Sequence, residues 1–270
     1  MTPDEESLAA MAPCVVQLAL QAGEEILEVY ATAFEVTHKA DESPLTQADL
    51  AAHSLLSTAL ADMQPAYPVL SEESQAIDFV ERRAWSTYWL VDPLDGTREF
   101  VKRNDEFTVN VALVHRGEPI LGVVHAPALA LTYFGYRGGG AWRAHGDSLN
   151  EAIHVAPRVR DPIRVAGSRS HAGDSLQKFL AALGPHELVS MGSSLKLCLV
   201  AEGSVDLYPR FGPTCEWDTA AAQCVVEQAG GRVTDTQLRT LRYNTGESLL
   251  NPEFLVFADD SKDWLACLPG

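Results

Sequence analysis

Residues 89–97, with the sequence WLVDPLDGT, constrain the fold more than any other stretch of the chain. An apolar run typical of a buried strand ends in two aspartates, Asp92 and Asp95, that are three positions apart. Pro93 has no backbone N–H and a fixed φ, so the sequence predicts that the regular strand ladder stops and the chain turns here. Such a turn can bring both carboxylates and the backbone carbonyl of Leu94 to one point.

Clustered carboxylates repel one another unless a cation lies between them, and oxygen-only ligand sets suit hard divalent cations such as Mg²⁺. Two further acids lie at the ends of predicted elements. Glu72 follows the strand-like segment PVLS, and Asp218 opens the helix-like segment WDTAAAQCVV. Taken singly, Glu72 could be a solvated loop acid and Asp218 a favourable charge at a helix N-terminus. Together with DPLDGT, they predict a divalent cation site.

The chain has 270 residues and 46% hydrophobic content, enough for two packed lobes. A change from β-meander patterns to alternating short strands and helices predicts an N-terminal α+β lobe over 1–158 and a C-terminal α/β lobe over 159–270. The 37 acids exceed the 20 lysines and arginines by 17. This excess disfavours binding of nucleic acid or anionic lipid, and it means that an anionic substrate must be neutralised locally by a few cations or by metal ions.

Five cysteines, an odd number without a C-x-x-C pair, indicate a reduced intracellular compartment, and we expect a cytoplasmic protein. The acidic start MTPDEESLAAM is unlike an export signal. The longest uncharged run, 119–136, contains two prolines and strand-forming residues, which predicts part of a β-meander and no integral membrane segment. Peripheral membrane association and a homodimer remain open.

The segments SEES, VDPLDGTREF and EWDTAAAQCVVEQAGG resemble, in this order, the three signatures of the lithium-sensitive, Mg²⁺-dependent phosphomonoesterases related to inositol monophosphatase. The resemblance covers nearly the whole chain. It implies an α/β fold, a layered αβαβα sandwich of the inositol monophosphatase and fructose-1,6-bisphosphatase type, with the active site between the lobes. It also implies two or three bound Mg²⁺ ions. By matching positions, their ligands would be Glu72, Asp92, the Leu94 carbonyl, Asp95 and Asp218.

The resemblance further implies that a threonine hydroxyl and a nearby acid position the attacking water. Thr97 matches the threonine, and Glu72 or Asp49 matches the acid. Asp49 also fits a capping box with Thr46 at a helix start, and the residue pattern alone favours neither role. The resemblance favours a role with a third metal and the water. Our hypothesis is direct attack on phosphorus by metal-activated water, without a phospho-enzyme.

The C-terminal lobe carries the pattern GSRSH…GSSLKLCLVAEGSVDLYPRFGPTCEWDTAA, which is similar to the 3'(2'),5'-bisphosphate nucleotidases of the CysQ type. These enzymes remove the 3'-phosphate from 3'-phosphoadenosine 5'-phosphate, a by-product of sulfate assimilation. Singly, each matching residue has a simpler explanation, such as a helix N-cap, a solvated lysine or a surface histidine. By position, the nucleotide contacts in this lobe would be Ser168, His171, Gly192 and Lys196, with Arg210 as a further candidate; the remaining substrate contacts would be Glu72, Leu94, Asp95, Gly96, Thr97 and Asp218.

Three alternatives remain at this point. An inositol or sugar monophosphatase of the same fold would share most of the framework. An aspartyl-phosphatase of the haloacid dehalogenase type has a D-x-D-G-T motif, but its acids are two positions apart on an unbroken strand. A nucleotide-sensing protein with a degenerate site is disfavoured because every expected metal-binding acid is present. The chain lacks G-x-x-x-x-G-K-[ST], G-x-S-x-G and H-E-x-x-H motifs.

Overall fold

The computed structural model describes residues 3–38, 44–74, 76–146, 148–167, 173–258 and 262–268. The α-helices of these residues are α1 (Glu5–Tyr30), α2 (Gln47–Asp62), α3 (Phe79–Arg82), α4 (Thr97–Val101), α5 (Asp174–Leu183), α6 (Leu195–Ala201) and α7 (Ala220–Gln228). Short 3₁₀ turns span Pro127–Leu129, Glu216–Asp218 and Leu265–Cys267. None of the helices in these ranges combines the length and the apolar character that crossing a bilayer requires.

The larger sheet has seven strands in the order β3-β4-β5-β6-β7-β8-β9, all antiparallel except the β3–β4 pair. Its strands are β3 (Val69–Ser71), β4 (Thr87–Asp95), β5 (Thr108–His115), β6 (Glu118–Ala126), β7 (Leu131–Tyr136), β8 (Gly140–His145) and β9 (Glu151–Ala152). They follow a two-stranded ribbon of β1 (Thr37–His38) and β2 (Pro44–Leu45). The two predicted hairpins are confirmed, one turning at Arg116 and Gly117 and the other at the glycine run before β8.

The smaller sheet has five strands in the order β11-β10-β12-β14-β13. Its strands are β10 (Ile163–Gly167), β11 (His186–Ser190), β12 (Leu207–Arg210), β13 (Arg232–Asp235) and β14 (Phe254–Phe257). Strand β10 runs parallel to β11 and β12, whereas β14 runs antiparallel to both of its neighbours. The larger sheet ends at residue 152 and the smaller begins at 163; the predicted lobe boundary near 158 falls in this interval and stays a prediction.

The side chains of β4 show how the layers are built, because successive side chains of a strand point to opposite faces of the sheet. Trp89 and Val91 pack into a core with α1 and α2, while Tyr88 and Leu90 pack into a core with α6 and α7. A third core joins the smaller sheet to α5 through Phe179. The layers are therefore α1 and α2, the larger sheet, α6 and α7, the smaller sheet, and α5, which confirms the predicted αβαβα sandwich.

The central helix layer lies unusually close to the larger sheet at Gly122 of β6. A Cβ atom at this position would lie 2.2 Å from the Ala221 carbonyl oxygen of α7, a distance that no side chain tolerates. The absence of a side chain therefore allows α7 to approach the sheet. This approach fixes where α7, and the turn that precedes it, lie relative to β4.

The end of β4 differs from the prediction that the strand stops at Pro93. The strand continues to Asp95, with a register shift against β5 between Asp92, which pairs with Asn110, and Asp95, which pairs with Thr108. A bulge leaves residues out of the ladder, so the missing N–H of Pro93 breaks no hydrogen bond there. The bulge, and not an end of the strand, re-aims the side chains on either side of the proline.

Candidate active site

Three acids meet where the bulged end of β4 faces the turn before α7. Carboxylate oxygens of Asp92, Asp95 and Asp218 all lie within 4.8 Å of one another. Asp92 and Asp95 flank the register shift in β4. Asp218 is the last residue of the 3₁₀ turn that leads into α7, and it does not open the helix itself, as the sequence had suggested. Acids from distant segments of the chain thus converge, as predicted from the sequence.

Asp92 occupies the most buried position of the three. Its Oδ1 accepts a hydrogen bond of 3.0 Å from the Leu94 backbone N–H, which orients the carboxylate within the bulge. Burial raises the pKa of Asp92 well above its ordinary value, and the neighbouring charges of Glu72, Asp95 and Asp218 raise it further. Glu72 follows β3 and donates its backbone N–H to the Val91 carbonyl (3.1 Å), which places it beside this end of β4.

The pKa of Asp218 is also raised. Burial, followed by the charge of Asp95, raises its pKa to about 8, although one of its oxygens accepts a hydrogen bond of 2.9 Å from the Cys215 backbone N–H. Like charges that are drawn together and partly desolvated need either protons or a cation. All of the converging donors are oxygens, so the cluster has the chemistry of a site for a hard divalent cation.

Ser194 fixes Asp95 and connects it to the opposite side of the site. Its backbone N and its Oγ each lie 2.6 Å from Oδ2 of Asp95, and Oγ also lies 2.7 Å from the backbone carbonyl oxygen of Asp218. Asn110 of β5 donates from Nδ2 to the same hydroxyl at 2.7 Å. Oδ2 of Asp95 is therefore committed to Ser194, and Oδ1 is the oxygen best placed to accept another ligand.

Sequence reasoning missed this role of Ser194 and overlooked Asn110. Ser194 stands at the N-cap position of α6, where a serine ordinarily caps the helix, but its side chain makes no capping hydrogen bond. The available signal was the pairing of β4 with β5, because Asn110 lies directly opposite Asp92. A buried polar residue paired with a predicted ligand is a natural partner for that site.

Thr97 and Asp49 lie together beside the cluster. Gly96, with φ of +89°, turns the chain from β4 into α4, which begins at Thr97. The Thr97 hydroxyl lies 3.3 Å from Oδ1 of Asp49 and 3.3 Å from the Leu94 carbonyl oxygen. Both distances exceed the usual 2.5–3.0 Å for a hydroxyl donor, so neither partner holds the hydroxyl firmly.

The two roles considered for Asp49 do not exclude each other. Its Oδ2 accepts hydrogen bonds from the backbone N (2.7 Å) and hydroxyl (2.6 Å) of Thr46, which is the capping box at the start of α2. Its Oδ1 faces Thr97. Burial raises the pKa of Asp49, and its hydrogen bonds with Thr46 act in the opposite direction. One carboxylate thus caps a helix with one oxygen and faces the Thr97 hydroxyl with the other.

A cavity of about 150 Å³ opens beside these acids and is lined in part by Asp95, Gly96, Gly192, Lys196, Arg210 and Asp218. Lys196 is buried; its Nζ donates to the Ser193 carbonyl (2.6 Å) and lies 5.6 Å from the centroid of the Tyr208 ring. Burial lowers the pKa of Lys196 to about 8. Arg210 is partly engaged, because its Nη2 donates to the Pro213 carbonyl at 2.9 Å.

Gly192 lies in this cavity wall without room for a side chain, because a Cβ atom there would lie 2.7 Å from the Glu106 carbonyl oxygen. Its backbone N–H donates to Oε2 of Glu106 at 2.8 Å. Ser168 and His171, the other predicted nucleotide contacts in this lobe, lie outside the described residues. The cavity therefore joins carboxylates of the cluster to three basic side chains, Arg98, Lys196 and Arg210.

Comparison with known proteins places this geometry in context. A sequence profile of the inositol monophosphatase family matches residues 7–266. The 3'(2'),5'-bisphosphate nucleotidase CysQ of Salmonella typhimurium is 50% identical over 244 residues, which cover 90% of this chain and 97% of the relative. The Haemophilus influenzae protein of the same name is 39% identical over 251 residues, which cover 93% of each chain.

Solved structures show the same similarity in three dimensions. The crystal structure of CysQ from Bacteroides thetaiotaomicron, described as a bacterial member of the inositol monophosphatase family, matches with a TM-score of 0.81 at 42% identity. The match covers 92% of this chain and 97% of that one. The extragenic suppressor protein suhB of Bartonella henselae matches with a TM-score of 0.75 at 25% identity, covering 93% and 94% of the two chains.

Proposed function

The chain belongs to the inositol monophosphatase family, and within it we propose that this protein is a Mg²⁺-dependent 3'(2'),5'-bisphosphate nucleotidase. It removes the 3'-phosphate of 3'-phosphoadenosine 5'-phosphate and yields AMP and phosphate. The observation that carries this proposal is the cavity in which the cluster of Asp92, Asp95 and Asp218 faces the basic side chains of Lys196 and Arg210. A substrate with two phosphates needs a cationic partner for each. The free state of all five cysteines supports a reducing, cytoplasmic location.

The residues present fit the metal ions that the family uses. Asp92, Asp95 and Asp218, with Glu72 and the Leu94 carbonyl, would hold two or three Mg²⁺ ions through oxygen atoms alone. When bound, Mg²⁺ supplies the positive charge that neutralises the phosphate dianion and activates the attacking water. Ser194 orients Asp95 through Oδ2, which leaves Oδ1 to face the ions.

Thr97 and Asp49 position the attacking water. The loosely held hydroxyl of Thr97 can accept or donate a hydrogen bond to a water molecule, and Oδ1 of Asp49 lies within reach of the same point. Asp49 can take up the proton that the water releases, because its raised pKa makes it a better base than an ordinary aspartate. The water oxygen bonds to phosphorus, the bond between phosphorus and the ribose 3'-oxygen breaks, and the 3'-oxygen takes a proton from solvent to leave as a hydroxyl.

Lys196 and Arg210 bind the second phosphate, at the 5' position. Both line the same cavity as Asp95 and Asp218, and the charge of Arg210 acts on Lys196 and on Asp218. A buried ammonium interacts with an anion more strongly than an exposed one does, because water screens it less. The second phosphate thereby supplies binding energy that an inositol monophosphate lacks.

The proposed function is tested by phosphate release from 3'-phosphoadenosine 5'-phosphate, inositol 1-phosphate and AMP, each assayed with Mg²⁺ and with EDTA. We expect Mg²⁺-dependent release from the bisphosphate, with kcat/KM at least about tenfold higher than for inositol 1-phosphate, since one charged hydrogen bond contributes about 1.5–3 kcal/mol. AMP should not be cleaved. A preference for inositol 1-phosphate would identify an inositol monophosphatase and overturn the proposal.

The lowered pKa of Lys196 predicts a pH dependence for the bisphosphate substrate. Because burial lowers the pKa to about 8, the amine loses its proton, and with it the attraction for the 5'-phosphate, as the pH rises through 8. We expect kcat/KM to fall above pH 8 in the wild type. Lys196→Arg stays protonated over this range, so its profile should remain flat there whatever its absolute rate. The same decline in both proteins would show that Lys196 is not the titrating group.

The contacts of Ser194 predict that its hydroxyl tunes metal binding. Ser194→Ala removes the Oγ contacts to Asp95 and to the Asp218 carbonyl but keeps the backbone N–H bond. Loss of a partner that orients a metal ligand typically weakens metal binding about 10–100-fold. Mn²⁺ binding, followed by electron paramagnetic resonance, should weaken by this amount, and Ser194→Thr should restore most of it. Unchanged Mn²⁺ affinity in Ser194→Ala would refute this role.

A further inference from the structure

A second cavity lies at the other end of β4. It has a volume of about 400 Å³ and shares no lining residue with the active-site cavity. Trp85 and Tyr88 line it near the start of the strand, whereas Asp95 lies at the strand's end. Seven residues of extended chain span roughly 23 Å. The hairpin turn between β5 and β6 and the segment 242–245 close the remaining sides.

This cavity is lined by positive charge, whereas the protein as a whole is negatively charged. Acids outnumber lysines and arginines by 37 to 20 over the whole chain, yet the described lining contains three arginines, Arg83, Arg116 and Arg242, and no carboxylate. Like charges brought to one concave surface repel one another and focus a positive potential into it. An anion that binds in the cavity reduces the repulsion between the three arginines.

Two of the three guanidinium groups have no competing partner. Arg242 donates from Nη1 to Oε1 of Glu118 at 2.5 Å. The exposed side chains of Arg83 and Arg116 form no hydrogen bond or ion pair with any residue that the structure describes. Each of these two residues can therefore offer a full set of N–H donors to a ligand, in the planar geometry that matches phosphate oxygens.

A buried hydroxyl in the cavity wall also lacks a partner. Tyr88 is 1% exposed, and its OH forms no hydrogen bond within the described structure. A buried donor left unsatisfied costs on the order of 1–3 kcal/mol. The ring of Trp85 lies 6.0 Å from that of Tyr88 and gives the cavity an apolar, aromatic side. A ligand with an oxyanion could satisfy the hydroxyl and pair with the arginines at once.

We propose that this arginine cavity, defined by Arg83, Trp85, Tyr88, Arg116 and Arg242, is a second anion site that binds a small phosphate-bearing ligand. The ligand lies far from the acidic cluster and is not the substrate in its reactive position. Free phosphate and the phosphate of a nucleotide share the chemistry that these residues recognise. The Trp85 ring would add a stacking surface for the base of a nucleotide.

Isothermal titration of the Mg²⁺-free protein with inorganic phosphate, AMP and adenosine at low salt tests this site. EDTA removes metal ions from the acidic cluster, which then repels anions, so the arginine cavity becomes the favoured site. We expect phosphate and AMP to bind, adenosine not to bind, and both affinities to fall as salt is added. Tighter binding of AMP than of phosphate would identify a nucleotide as the ligand, and equal binding would identify the free anion.

Two variants locate the binding, and two others serve as comparisons. Arg116→Ala and Arg83→Ala, both exposed positions, should each weaken AMP binding at least about tenfold. Arg158→Ala, an exposed arginine outside this cavity, should leave it unchanged. Lys196→Ala removes the active-site contact proposed for a 5'-phosphate, so AMP binding that belongs to the arginine cavity should persist in this variant and stay sensitive to Arg116→Ala. Binding that is absent in the wild type, insensitive to Arg116→Ala and Arg83→Ala, lost in Lys196→Ala, or equal for adenosine and AMP would overturn the proposal.

Discussion

Asp95→Asn is expected to lower turnover of 3'-phosphoadenosine 5'-phosphate by about a thousandfold or more, because metal ions contribute several kcal/mol of charge stabilisation. The amide is neutral and has only one oxygen, so it cannot both accept the Ser194 backbone N–H and offer an oxygen to the ions. Stopped assays of phosphate release over a wide range of Mg²⁺ concentrations measure the loss. Raising Mg²⁺ should not restore the rate, since one of the negative charges that would hold the ions is missing.

Asp62→Asn provides the matched control for this substitution. Asp62 is exposed at the end of α2, outside the cluster, and the same loss of one negative charge there should leave turnover unchanged. If Asp95→Asn retained turnover near that of the wild type, the acidic cluster could not be the centre of the reaction. If both variants lost activity alike, the effect would come from net charge and not from the site.

Thr97→Val is expected to lower kcat by about a hundredfold, the lower end of the contribution of a group that positions or accepts a proton. Valine keeps the shape of threonine and removes only the hydroxyl that lies between Asp49 and the Leu94 carbonyl. Steady-state kinetics should show the loss in kcat, with KM changed little, because the role proposed for the hydroxyl is to position the attacking water.

Thr97→Ser keeps the hydroxyl and should retain most of the activity of the wild type. Thermal unfolding of both variants separates a catalytic effect from a structural one, and we expect similar midpoints for the two. A Thr97→Val enzyme whose kcat stayed within a few-fold of the wild type would remove Thr97 from the mechanism. Equal losses in the serine and valine variants would point to packing and not to the hydroxyl.

The acidic cluster could be predicted from the sequence because short, local residue patterns mark each of its acids. Each acid lies at the end of a segment with a clear pattern of apolar residues, and the ends of packed elements meet at layer boundaries. The course of β4 beyond Pro93 was predicted wrongly for the opposite reason. A proline is tolerated within a strand where a bulge removes the need for its N–H, and that depends on the register with Thr108 and Asn110 of the neighbouring strand.

The role of Ser194 could not be predicted from local sequence patterns. It contacts Asp95 across 99 positions of the chain and Asp218 across 24, and these contacts depend on how α6 packs against α7 and the smaller sheet. Asp49 presented a different difficulty, because its capping box is real and seemed to compete with a functional role. A carboxylate has two oxygens, and in this structure they face different partners.

Anomalous scattering from crystals grown with Mn²⁺, AMP and phosphate tests the central claim most directly, since Mn²⁺ accepts the same oxygen ligands as Mg²⁺. Manganese is expected between the carboxylates of Asp92, Asp95 and Asp218, with phosphate bound on its open side. Manganese bound elsewhere, with these three carboxylates contacting only the protein, would contradict the assignment of this cluster as the metal centre of the reaction.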